Sequence, residues 1–227
     1  MEKFRYVQNK KQTKSLPLDA AQFDAISTDL HLAYICDEAR KAKTNGNDEE
    51  YDKQKGDLPL AFWIGYNSKG VRQADKQTPT QYFYIDIDHP KMEPKPMWQE
   101  IMMNMERVFA KEKTSEDDLT IDIRKRYGIR LVHETPGGGL RIVILATQNL
   151  SSVEEHIKWF AEKFYLSEFG DVDTVVHDLA RGSFMVKKDW IHYYDAALFS
   201  EEPTFKPITK GGSDASAVSG EAETKTL

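Results

Sequence analysis

The chain has 227 residues, a net charge of −6, 40% hydrophobic and 30% charged residues, and one cysteine, Cys36. This is the composition of a soluble globular protein long enough to bury a core. It excludes a disulfide framework, a cysteine zinc cluster and a uniformly basic nucleic-acid coat.

Residues 1–15 carry Lys3, Arg5, Lys10, Lys11 and Lys14 and read as an exposed basic lead-in or edge strand, ended by Leu16-Pro17-Leu18. The start of the chain lacks an apolar leader, and no window approaches the roughly 20 apolar residues that span a bilayer. A cytoplasmic protein without a membrane partner is therefore expected. From Asp19 to about Lys43, the positions Phe23, Ile26, Leu30, Ala33, Ile35 and Ala39 approximate helical spacing. Cys36 falls in that helix as a packed small apolar residue. Residues 44–57 read as a polar loop, and Leu58 to Gly65 is an apolar run entering the core.

Tyr82-Phe83-Tyr84-Ile85-Asp86-Ile87-Asp88-His89-Pro90 is the stretch around which the rest is organised. Its aromatic and β-branched residues predict a strand that Pro90 closes. Alternation puts Phe83, Ile85 and Ile87 on one face and Tyr84, Asp86 and Asp88 on the other. Past Pro96, Trp98, Ile101, Met102, Met105, Val108 and Phe109 make an amphipathic helix, with Met103 counted as core filler. Ile129–Glu134 and Leu140–Leu145 read as strands joined by the turn Thr135-Pro136-Gly137-Gly138-Gly139. Ser151 with Glu154 forms a capping box for the next helix. Arg181–Val186 is the expected last strand, and residues 207–227 have the composition of a disordered tail.

The order β-α-β-β-α-β over residues 82–186 matches a split βαβ, ferredoxin-like or RNA-recognition-like layout. The expected class is thus α+β, one domain over 1–206, with 1–80 an N-terminal elaboration and 81–190 the core.

Two carboxylates on one face repel unless neutralised, and a hard divalent cation such as Mg2+ or Mn2+ does this while leaving positions for phosphate oxygens. A bare Asp-x-Asp also ends ordinary strands in solvent. Gly137, Gly138 and Gly139 have no bulk to keep a phosphate away from backbone amides. Arg141 and Arg181 suit planar, bidentate contact with triphosphate oxygens. A third carboxylate would complete a two-metal clamp for phosphoryl transfer, with Asp178, Asp171 and Asp173 as contenders. Arg124, Lys125, Arg126, Arg130 and Arg141 stand against Asp122 and Glu134 over residues 120–145, a local basic segment able to track a nucleic-acid backbone. His89 is next to the acidic pair, and the other histidines lack zinc-site spacing.

Ile85-Asp86-Ile87-Asp88, then Thr135-Pro136-Gly137-Gly138-Gly139-Leu140-Arg141-Ile142, then Asp178 with Arg181, resemble the primase–polymerase superfamily of archaeo-eukaryotic primase type. The nearest likeness is to the N-terminal primase-like domain that precedes virulence-protein-E-type helicases in mobile elements and phages. The resemblance spans roughly residues 55–190, including Lys55 and Leu58-Pro59. It implies a palm-like core in which Asp86, Asp88 and Asp178 bind Mg2+ or Mn2+ for nucleotidyl transfer on a DNA or RNA template from nucleoside triphosphates. Active members carry a His on the strand after the Gly-rich turn, where this chain has Arg141. The departure leaves two readings, an active primase–polymerase-like enzyme or a catalytically inactive nucleic-acid-binding adaptor. No Gly-x-x-x-x-Gly-Lys-Ser/Thr occurs in these residues, so a helicase would be a separate partner.

Overall fold

The computed structural model describes residues 3–112, 122–174 and 179–200. The chain runs β1 (Phe4–Val7), β2 (Leu16–Leu18), α1 (Ala20–Ser27), α2 (Leu30–Thr44), α3 (Asp48–Asp57), β3 (Leu60–Phe62), β4 (Gly65–Tyr66), β5 (Thr78–Pro79) and β6 (Tyr82–Asp88). It continues α4 (Pro94–Glu112), α5 (Ile123–Arg126), β7 (Ile129–Glu134), β8 (Leu140–Leu145), α6 (Val153–Lys163), β9 (Asp171–Val172), β10 (Ser183–Phe184), β11 (Ile191–Tyr194) and α7 (Ala197–Ser200). The fold is mixed α and β with antiparallel sheets. No described helix is long and apolar enough to cross a membrane.

Two sheets matter for the site. The larger has the order β11-β7-β8-β6-β9, the smaller β10-β3-β1-β2. One face of the larger sheet presents Phe83, Ile85 and Ile87 to the buried stripes of α4 and α6, and Phe83 meets Phe160 edge to face at 6.4 Å. Its other face lies against the N-terminal layer, where Phe4 packs on Tyr82 and on Trp63, each at 5.1 Å. That sheet is therefore covered on both faces, and its β6 and β8 are buried along nearly their whole length. Only the Asp88 end of β6 reaches the surface.

Local chemistry explains where the elements depart from expectation. β1 is an interior strand of the smaller sheet, buried throughout, and not an exposed lead-in. Arg5 stays inside because Ser15 takes its guanidinium, Nη2 donating to the Ser15 carbonyl at 2.7 Å. The helix expected from 19 to 43 is two helices, since the Asp29 side chain caps a new start by accepting from His31 N at 2.6 Å. Residues 48–57 are a helix and not a loop: Asn47 caps it, Asp48, Glu49 and Glu50 sit in its positive first turn, and Tyr51 is its one buried residue. The capping box lies one residue later than expected, with Ser152 Oγ accepting from Glu155 N and Glu155 accepting from Ser151 N. Within α4 the stripe Met97, Trp98, Ile101, Met105 and Phe109 is buried, whereas Met103 is exposed and fills no core.

The largest correction concerns the last strand. Ser183–Phe184 is two residues long and pairs with β3 in the smaller sheet, and the outer partner of β6 is Asp171–Val172. Cys36 is fully buried, and burial pushes its thiol up to about 11, an inert packed residue as expected.

Candidate functional site

Register assembles the site. In the β6–β8 pairing Asp86 stands opposite Arg141 and Ile87 opposite Leu140, so Asp86 and Arg141 share a face. On the other side of β6, Ile87 faces Val172, Asp88 faces Asp171, and Asp173 N donates to the Asp86 carbonyl at 3.2 Å. Tyr84, Asp86 and Asp88 thus line the face that alternation assigns them.

Asp86 and Arg141 are buried, at 5% and 7% exposure, and they are joined bidentately. Arg141 Nε donates to Asp86 Oδ1 at 2.5 Å and Nη2 to Oδ2 at 2.6 Å. The remaining terminal nitrogen, Nη1, donates to Ser183 Oγ at 2.8 Å, and the guanidinium lies 4.5 Å from the centre of the Tyr84 ring. Burial alone would favour loss of the Arg141 proton, but the charge and hydrogen bonds of Asp86 outweigh it and hold the guanidinium more firmly protonated than usual. A pair of this kind resists disruption, because removing either partner strands the other charge in the interior. Arg141, expected on triphosphate oxygens, is engaged by Asp86 and Ser183.

Asp88 differs. Its carboxylate accepts no hydrogen bond among the described residues, and partial burial, then the charge of Asp86, push its carboxyl above the ordinary value. The Gly-rich turn closes against it. A Cβ on Gly139 would collide with the Ile87 carbonyl oxygen and lie 3.2 Å from Asp88 Oδ1, so only glycine lets the turn pass so close. Gly138 supplies the left-handed step with φ of 92°. Two turn amides are satisfied internally, Gly138 N on the Thr135 carbonyl at 3.0 Å and Gly139 N on Thr135 Oγ1 at 3.0 Å. Gly137 N has no partner among the described residues, and the residue is exposed.

Two side chains from the N-terminal helices edge the turn, and a third stacks on one of them. Arg40 of α2 donates to Glu134 Oε2 at 3.0 Å, to the Thr135 carbonyl at 2.7 Å and to the Pro136 carbonyl at 3.2 Å, and lies over the Trp190 ring at 4.2 Å. Burial would raise the Glu134 carboxyl, but His192 and Arg40 beside it bring it below its usual value. Tyr51 of α3 brings its hydroxyl to 3.1 Å from where a Gly137 Cβ would stand. Lys55, one turn later, holds its amine 5.1 Å from the Tyr51 ring and 5.2 Å from the Phe184 ring. Half-buried, it has no carboxylate in ion-pair contact among the described residues, and burial lowers its pKa.

The other candidates fall in different places. Arg181 Nη1 donates to Asp173 Oδ2 at 2.8 Å beside this face. Asp178 lies outside the described residues. Arg124 is held bidentately by Asp122, at 2.9 Å in each contact, and covers the Tyr193 ring. Arg130 is buried, donating to the Ile129 carbonyl at 3.0 Å, with Asp195 4.0 Å away. Of the basic segment, Lys125 and Arg126 remain exposed. His89 follows Asp88 with φ of 46°. His133 shares the face of Arg141 but lies in the interior with Nδ1 2.7 Å from the Glu134 carbonyl oxygen, and burial, then the Arg141 charge, push its pKa down to about 4.

Among the described residues no group of three or more His, Cys, Asp or Glu side chains is arranged to hold a metal ion. The donor set does not fit a two-ion clamp while Arg141 holds both oxygens of Asp86 and Arg181 holds Asp173. Of this face's carboxylates among the described residues, Asp88 and the exposed Asp171 opposite it in register carry no hydrogen bond or ion pair. Sequence reading missed Tyr51, Arg40 and Ser183 and gave Lys55 no role. The Asn47-Asp48-Glu49-Glu50 start signal was the clue to α3 and to the face that carries Tyr51 and Lys55.

Comparison of the chain with protein-family models, with curated proteins and with solved structures returns no match.

Proposed function

We propose that this chain is a primase–polymerase-like domain that acts on nucleic acid in the replication of a mobile element or phage, with a DNA or RNA template and nucleoside triphosphates as its ligands. One observation carries the reading. Strand pairing brings Asp86, Asp88, Asp173 and the Thr135–Gly139 turn, from three separate parts of the sequence, to one end of one sheet face. A palm-like, split βαβ core belongs to the same proposal. The chain order β6-α4-α5-β7-β8-α6-β9, with α5 a single short turn, and the antiparallel spatial order β7-β8-β6-β9 support it.

In this reading Asp173, beside Asp86 in register, takes the third-carboxylate position; the sequence-favoured Asp178 lies outside the described residues. Mg2+ or Mn2+ would be held by these carboxylates only once Arg141 and Arg181 release Asp86 and Asp173. The chain's own part is to hold phosphate against the turn; at rest Arg141 neutralises Asp86. Transfer on this face needs Arg141 to release Asp86.

The Asp86–Arg141 pair favours a second reading, a non-catalytic nucleic-acid-binding module that works with a partner helicase. A labelled primer on a template, incubated with triphosphates and Mn2+, separates the two. Lengthening that is lost in Asp88→Asn supports the first reading. Binding without lengthening supports the second, and shortening of the strand refutes both in favour of a nuclease.

A further inference from the structure

Around the Gly-rich turn, three donors from three positions make no hydrogen bond or ion pair among the described residues: the Lys55 amine, the Tyr51 hydroxyl and the Gly137 amide. They are neighbours. The Tyr51 hydroxyl stands 3.1 Å from the Gly137 Cβ position, and Lys55 lies over the Tyr51 ring at 5.1 Å. Both side chains sense the charges of Asp88 and Arg141, so they belong to the electrostatic neighbourhood of the acidic face. The arginine that sequence would assign to an anion is meanwhile held by Asp86. A half-buried ammonium with no carboxylate in ion-pair contact, over the ring of a phenol whose hydroxyl reaches the residue of an open amide, is a donor set for a tetrahedral oxyanion.

We propose that Lys55, with the Gly137 amide and the Tyr51 hydroxyl, forms the phosphate-binding site of this face, and that Lys55 rather than Arg141 is its cation. The proposal rests on the reading that the face handles nucleic acid or nucleotide, and it adds which residues grip the phosphate. Helix α3 is then a working part of the site: it brings an aromatic and a lysine one turn apart onto the Gly-rich turn. The shared chemistry is a phosphoryl group, from a free triphosphate or from a nucleic-acid backbone. Packing of Lys55 on the Tyr51 and Phe184 rings is the competing role for the same side chain.

The test titrates the full chain with a nucleoside triphosphate in the absence of divalent cation, and separately with a labelled single-stranded oligonucleotide over a range of KCl. Lys55→Met keeps the apolar stem, Lys55→Arg keeps the charge, and Tyr51→Phe keeps the ring. The loss of one charge-assisted contact predicts binding about tenfold weaker in Lys55→Met, with most of it restored in Lys55→Arg, and a smaller loss in Tyr51→Phe. A loss confined to the triphosphate identifies a nucleotide site. A loss confined to the oligonucleotide, with its salt slope smaller by about one, identifies a backbone site. Unchanged binding of both probes in Lys55→Met overturns the proposal, as does failure of the wild type to bind either. Primer extension separates this outcome from the broader reading. Lys55-dependent phosphate binding without extension leaves the site standing and removes the catalysis, and extension unaffected by Lys55→Met does the reverse.

Discussion

Replacing Asp86 with alanine tests whether Arg141 is truly locked in the interior. Among the described residues the substitution leaves a guanidinium that is 7% exposed with the Ser183 hydroxyl and the Tyr84 ring as its contacts and no carboxylate in ion-pair contact. Breaking a buried pair by removing one partner costs about 3–5 kcal/mol. One effect acts the other way: Asp88, pushed up partly by the charge of Asp86, is relieved when that charge goes. The lower end of the range is therefore expected, about 3 kcal/mol, a fall in Tm of roughly 6–12 °C for a domain of this size. The double variant Asp86→Ala/Arg141→Met removes both charges and should recover most of the loss, to within about 1–2 kcal/mol of wild type. Denaturant midpoints of the wild type, the two single variants and the double variant give the coupling energy directly. A loss below about 1 kcal/mol in Asp86→Ala, with additive single effects, would refute the reasoning. In that case Arg141 is not held by Asp86 in solution, and Asp86 is open to a cation.

Three further outcomes follow from the same geometry. His133 is held to about 4 against an ordinary 6.5, so the unfolded chain binds the extra proton first as pH falls. Its contribution is complete above 6.5 and is lost down to about 4, a total of about 3 kcal/mol, and His133→Gln should flatten that part of a plot of stability against pH. Asp88 has the opposite sign, a carboxyl raised by burial and by Asp86, so its ionisation weakens the fold as pH rises. Asp88→Asn should therefore raise Tm at neutral pH, with the gain gone below pH 3.8, and an unchanged Tm at pH 7 counts against the described crowding. In the turn, Gly139→Ala drives a Cβ into the Ile87 carbonyl and should cost about 2–3 kcal/mol. Gly138→Ala, whose Cβ meets nothing nearer than Arg40 Nε at 4.0 Å, carries only left-handed strain of about 1–2 kcal/mol; the reverse ranking by chemical denaturation would place the turn differently against β6.

By itself the sequence determined the features that depend on a few neighbouring residues. Alternation in Tyr82–Asp88 was enough to put Asp86 and Asp88 on one face and Ile85 and Ile87 on the other, because side chains in a strand alternate whatever lies alongside. The Thr135–Gly139 turn between β7 and β8, and the apolar stripe of α4, were legible for the same reason. Tertiary structure alone decided the partners. Arg141 reads as an outward cation until the β6–β8 register sets it opposite a carboxylate 55 residues earlier, where mutual neutralisation outweighs exposure to water. Ser183–Phe184 has the character of a strand in either sheet, and its pairing with β3 follows from which edge lies within reach. Tyr51 and Lys55 look like loop residues until α3 docks on the turn. Their meaning depends on what they face, and that is set by packing between segments far apart in the chain, which no local pattern of residues encodes.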